Sequence, residues 1–148
     1  MRWMFVLLAL AAGALMPVQA GINNTLKGYM QGSAAMAALV SFFVGTVALL
    51  VWVLVQGGLA QGLALSVRGP WWIFSGGVLG AFFVAATVLL AAKLGAASMM
   101  AWLVAGQLIA SLLLDQSGSI GYMVREISWP RVLGAVLLVA GAVLMEKY

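Results

Sequence analysis

Side chains able to do covalent or acid–base chemistry are scarce in this chain. Its 148 residues hold no Cys, no His and three carboxylates, Asp115, Glu126 and Glu146. Without thiol or imidazole there is no thiolate nucleophile and no imidazole base poised near neutrality, and very few candidates remain for acid–base work or metal binding. No enzyme, resident metal or cofactor is expected. What remains is amides, hydroxyls and a few charges, some at helical spacing. Gln107, Ser111 and Asp115 run i, i+4, i+8, which puts them on one helix face over roughly 12 Å. Gln19, Asn23 and Lys27 repeat that pattern near the start of the chain. An amide both donates and accepts. Such stripes therefore either meet a polar solute or glue helices together.

The positions within the stripes differ in depth. Gln107 falls near the middle of its apolar run, where an unpartnered amide would cost a few kcal/mol. We expect it to line a central cavity, with Ser111, Asn23 and Gln19 around it. Trp102 precedes Gln107 by five residues, about 140° around a helix, so it reaches the same cavity only if that cavity is wide or the helix bends. Asp115 lies at the end of the run, near the membrane face and within reach of water. There it gates entry, pairs with an Arg such as Arg125, or carries a coupling proton. Pro17 sits inside the first run and removes the amide bond to the carbonyl of Gly13. A freed carbonyl at membrane depth finds a partner or lines a wet cavity. The plainer alternative is that both stripes are interhelical glue and Pro17 only kinks its helix.

The elements that carry these residues are set by composition. The chain is 66% hydrophobic and 7% charged, against about a quarter charged in a soluble domain. Mean hydropathy is +1.17, so its natural solvent is lipid. A soluble enzyme and a disordered chain are excluded. Nucleic acid is excluded as a partner despite a pI near 10.0, because seven Lys and Arg are spread along the chain and form no basic patch. Long unbroken apolar runs, without alternation, exclude a barrel. The runs cover residues 3–21, 34–55, 71–92, 96–114 and 132–145, which predicts an all-α membrane protein with five transmembrane helices. The last run is short for a crossing of ~20 residues, so its helix should extend to Pro130 or Tyr148. Gly57-Gly58, Arg68-Gly69-Pro70 and Ser117-Gly118-Ser119 punctuate the runs. Pro130 suits a first helical turn. A single transmembrane domain over residues 1–148 is expected. Arg2, an apolar stretch and Val18-Gln19-Ala20 also fit a signal peptide, but the polar residues beyond continue the helical pattern.

Five crossings place Arg2, Arg68, Arg125 and Arg131 on one side and Lys27, Lys93 and Lys147 on the other. Orientation normally follows a clear Lys/Arg excess on the cytoplasmic side. A bias this weak points to insertion in both orientations and pairing head to tail. Trp3, Trp52, Trp71, Trp72 and Trp129 all fall on the arginine side as interfacial anchors, with Tyr29 and Tyr148 opposite. Gly76 and Gly80 form a GxxxG pair. Gly134 and Gly141, one heptad apart, are candidate seam residues of a homodimer.

Residues 13–26, GALMPVQAGINNTL, and residues 95–118, GAASMMAWLVAGQLIASLLLDQSG, resemble the YdcZ-like family of small bacterial membrane proteins. Gly106-Gln107-Leu108, Asp115 and Gly118 are the most specific part. The resemblance covers nearly the whole chain and implies a place in the drug/metabolite transporter superfamily, as a half-transporter in the bacterial inner membrane. Larger members carry two five-helix halves in inverted orientation. Four-helix relatives work as antiparallel dimers and bind protons and cationic drugs through a Glu in their first helix. This chain has no acid there, which argues against cationic drug export. The expected function is a small secondary transporter of a small polar solute, an antiparallel homodimer with inverted two-fold symmetry and a central cavity. The alternatives are a narrow dual-topology channel and a non-transporting membrane subunit.

Overall fold

A computed structural model of the protein describes residues 2–58 and 70–148, and all regular structure among them is helical. In chain order the elements are α1 (Arg2–Tyr29), α2 (Ala34–Val55), a 3-10 turn (Trp71–Phe74), α3 (Ser75–Ser117) and α4 (Trp129–Lys147). Four helical segments are long and apolar enough to cross a membrane: Trp3–Tyr29, Ala34–Val55, Trp71–Ser117 and Trp129–Lys147. Arg68, assigned above to the arginine side, lies outside the described residues.

The third and fourth apolar runs differ from expectation. They are joined in α3, 43 residues long and interrupted at Gly95, where φ is 75° and ψ 168°. The physical reason is local. Between Ala92 and Ala96 stand only Lys93, Leu94 and Gly95, with no polar loop or proline to end one helix and start the next. A single residue in a conformation essentially reserved for glycine makes the whole break.

The chain divides into two compact units, Met1–Ala92 and Lys93–Tyr148. In the first, α1 and α2 form a hairpin. Gly32 (φ 81°) turns the chain, and its amide donates to the carbonyl of Lys27 at 3.0 Å. Such a left-handed residue closes a helix by satisfying its last carbonyls. Ser33 then caps α2, its Oγ accepting the amide of Met36 at 3.2 Å. Small residues bring the backbones close. Ala34 and Ala37 are buried with Val88, and Leu26 packs on them. Gly80 stands against the ring of Phe42, where an added Cβ would lie 3.4 Å from Cζ. Gly76 has no such neighbour, so the GxxxG pair does not act as one packing surface within the unit. Pro17 is accommodated inside α1.

In the second unit, residues 96–117 of α3 lead through a non-helical segment into α4. Pro130 occupies the first turn of α4, where its missing N–H costs nothing. The helix begins at Trp129 and reaches Lys147 over 19 residues, about 28 Å at 1.5 Å each. The expected extension of the last run is present at both ends.

Candidate solute groove and polar stripes

The α1 stripe opens onto a groove. Gln19 and Asn23 line it with Leu15, Met16 and Ile22 of α1 and Ser41 of α2; its volume is about 390 Å³. Gln19 and Ser41 also line a second hollow of about 200 Å³, where Thr46 and Gly45 join them. The Thr46 hydroxyl donates to the carbonyl of Phe42 at 2.8 Å, so it is already engaged. Asn23 is the unusual member. It is 2% exposed, and its Nδ2 has no hydrogen-bond partner. A buried amide without partners costs roughly 1–3 kcal/mol, which a packed apolar hairpin would shed unless the group met something. Gln19 is exposed, and Asn24 and Lys27 are half-buried.

The α3 stripe is arranged otherwise. Gln107 is exposed, and its carbonyl accepts the Ser111 hydroxyl at 2.7 Å. Ser111 therefore bonds back to its own helix. Asp115 forms an ion pair with Arg131, at 21% and 32% side-chain exposure for the acid and the base. The partner is Arg131 and not the Arg125 considered from sequence. Arg125 instead donates its backbone amide to the Asp115 carbonyl at 2.8 Å. Arg131 Nη1 also reaches the carbonyls of Arg125 and Glu126, each at 3.3 Å. Gln116 Oε1 accepts the amide of Ile127 at 2.7 Å. The end of α3 thus staples the connecting segment and the start of α4.

Trp102 has a partner that sequence reasoning missed. Its indole Nε1 donates to Glu146 Oε2 at 2.6 Å, and one turn earlier Ser98 Oγ donates to the carbonyl of Met145 at 2.9 Å. A mid-helix Trp and a lone acid at the end of the next helix were the available signal. Antiparallel neighbours bring the start of one to the end of the other. Beside this contact, Ala97, Met100, Ala101, Val104, Leu137 and Gly141 line an apolar groove of about 410 Å³. Of the six candidate site residues, Gln19 and Asn23 belong to the first unit, and Trp102, Gln107, Ser111 and Asp115 to the second.

Long apolar helices, a polar groove sunk in one hairpin and charges gathered at helix ends define a multi-pass helical membrane protein. Residues 4–144 match the family described as "Putative inner membrane exporter, YdcZ", and the chain belongs to that family. It is an inner membrane protein. Over 85 residues it is 45% identical to the inner membrane protein YdcZ of Escherichia coli (strain K12). That match covers 57% of this chain and 55% of the relative, so the chain matches about half the length of this curated protein. No solved structure matches the chain. The family is described as one of exporters, not of enzymes.

Proposed function

We propose that this protein is a small secondary transporter that exports a small polar solute, working as an antiparallel homodimer with a central cavity. The observation that carries the reading is Asn23, a buried amide with an unpartnered Nδ2 on the wall of a groove inside an apolar helical hairpin. The family's description as exporters supports the direction of transport. Gln19 and Asn23 in the first unit, and Gln107, Ser111, Asp115 and Trp102 in the second, are the proposed solute-facing residues. Asp115 in this reading handles solute or proton from within its pair with Arg131.

Five crossings are part of the proposal. Gly95 splits α3 into residues 75–94 and 96–117, about 30 and 33 Å long, each sufficient for a hydrocarbon core of ~30 Å. The four-to-three division of Arg and Lys supports insertion in both orientations. Gly134 and Gly141 form the proposed seam. A Cβ at either would meet nothing within 4 Å of its own chain, which leaves both faces open to a second copy.

The test is solute counterflow in proteoliposomes containing the purified protein. Saturable exchange that falls in Asn23→Ala and Gln107→Leu supports the proposal. Large non-saturable conductance would make it a channel, and no flux of any solute would make it a non-transporting subunit.

A further inference from the structure

The α1–α2 groove says more about its occupant than that it is polar. Nδ2 of Asn23 is a donor, and it lacks an acceptor. The other polar walls of the groove are the Gln19 amide and the Ser41 hydroxyl, and both can donate as well. Lys27 follows Asn23 by one helical turn on the same face and adds a positive charge beyond it. Residues 1–92 contain three Lys or Arg, namely Arg2, Lys27 and Arg68, and not one Asp or Glu. A cation entering this hairpin would find no counter-charge from its own unit, and the cost of desolvating it would go uncompensated. An anionic oxygen reverses each of these conditions. It supplies the acceptor Asn23 lacks, forms the stronger, charge-assisted type of bond, and has Lys27 within a turn.

We propose that the groove between α1 and α2 binds a small organic anion through a carboxylate oxygen, with Asn23 Nδ2 as the central donor and Lys27 as the flanking charge. This inference rests on the transporter reading above and adds the chemical class of its solute. The groove has room for a solute of several heavy atoms, and its apolar members, Leu15, Met16 and Ile22, suit a short hydrocarbon body behind the carboxylate.

The chain offers a direct probe, because Asn23 and Asn24 are its only two asparagines. Asparagine-selective ¹⁵N labelling of the full-length protein in nanodiscs gives two side-chain amide groups, assigned with Asn24→Gln. Titration with benzoate, benzamide and benzylamine separates anion, neutral acceptor and cation at matched size. The expected result is a saturable shift of the Asn23 amide with benzoate, at least tenfold weaker binding of benzamide, and no saturable shift with benzylamine. Lys27→Gln should weaken benzoate at least fivefold while leaving the benzamide response unchanged. Asn23→Leu, checked for folding by its circular dichroism and monodispersity, should abolish benzoate-dependent thermal stabilisation. A response to benzylamine equal to that for benzoate, or no response of Asn23 to any of the three, overturns the anion assignment. Counterflow on the same preparations tells the two readings apart. Saturable flux with an unresponsive Asn23 sinks the anion site and leaves transport standing. A responsive Asn23 without flux upholds the site and sinks transport.

Discussion

At the scale of residues, polar groups in this chain fall into two kinds, those engaged and those waiting. Asp115 and Trp102 are engaged. The Asp115–Arg131 pair is partly exposed, so a double-mutant cycle with Asp115→Asn and Arg131→Gln should give a coupling of about 1–2 kcal/mol, between the values of exposed and buried pairs. Amide exchange at Arg125, whose N–H is held by the Asp115 carbonyl, should accelerate in either single variant. Trp102→Phe removes one hydrogen bond to Glu146 and should lower stability by roughly 0.5–1.5 kcal/mol, read from chemical unfolding in detergent. In the cycle Trp102→Phe with Glu146→Ala, the second substitution should add little to the first. Gln107 is of the other kind. Its side chain is exposed, so Gln107→Leu should leave thermal stability within about 0.5 kcal/mol of wild type while counterflow falls at least tenfold. A large stability change with intact flux would make it helix glue. The sequence made both amide stripes legible, because a period of four along an apolar run is visible without coordinates. It did not disclose which member is buried. Asn23 and Asn24 are indistinguishable by type and differ only in the face they present to Ala-rich α2. Nor could it choose Arg131 over Arg125. That choice depends on how the segment between α3 and α4 folds, and a loop has no periodicity to read.

At the scale of elements, hydropathy located the apolar runs and the extension of the last helix to Trp129 and Lys147. Boundaries set by punctuation were legible where the punctuation was strong. Ser117-Gly118-Ser119 ends α3 and Pro130 stands in the first turn of α4, as their chemistry dictates. The Lys93–Gly95 boundary was not legible as a form, because three residues with one charge do not announce whether a helix ends or bends. Gly95 makes a specific prediction. Its φ and ψ are costly for any residue with a Cβ, by about 1–3 kcal/mol. Gly95→Ala should lower the free energy of unfolding by that amount, and the midpoint with it, although no atom crowds the position. An unchanged midpoint would mean the helix straightens without penalty. Gly118 joins the same test as a contrast. Its φ is also positive, and there a Cβ would collide with the Val124 side chain, so Gly118→Ala should cost more than Gly95→Ala.

At the scale of the whole molecule, the open predictions concern copies and orientation. Since a Cβ at Gly141 would meet nothing within 4 Å of its own chain, Gly141→Leu should leave the monomer's helicity and stability intact and shift the protein toward monomer in detergent, as seen by sedimentation. A dimer unmoved by the substitution would put the seam elsewhere. Reporter fusions after Tyr148 should be active on both faces of the membrane, and one added Lys at either end should tip the ratio. A single location indifferent to that added charge would refute dual insertion. The bend at Gly95 bears on how such a molecule is made. The stretch Trp71–Ser117 is 47 residues long, about 70 Å if straight, more than twice a hydrocarbon core of ~30 Å. Between Arg68 and Asp115 its one charge is Lys93. On the five-crossing reading, the nascent chain delivers this stretch to the insertion machinery as two spans separated at one glycine, with a lone ammonium beside the junction. Carrying that junction across would then be the step that commits a newborn copy to one face or the other. A junction with so little charge would be handed over in either direction at nearly equal cost, as dual insertion requires.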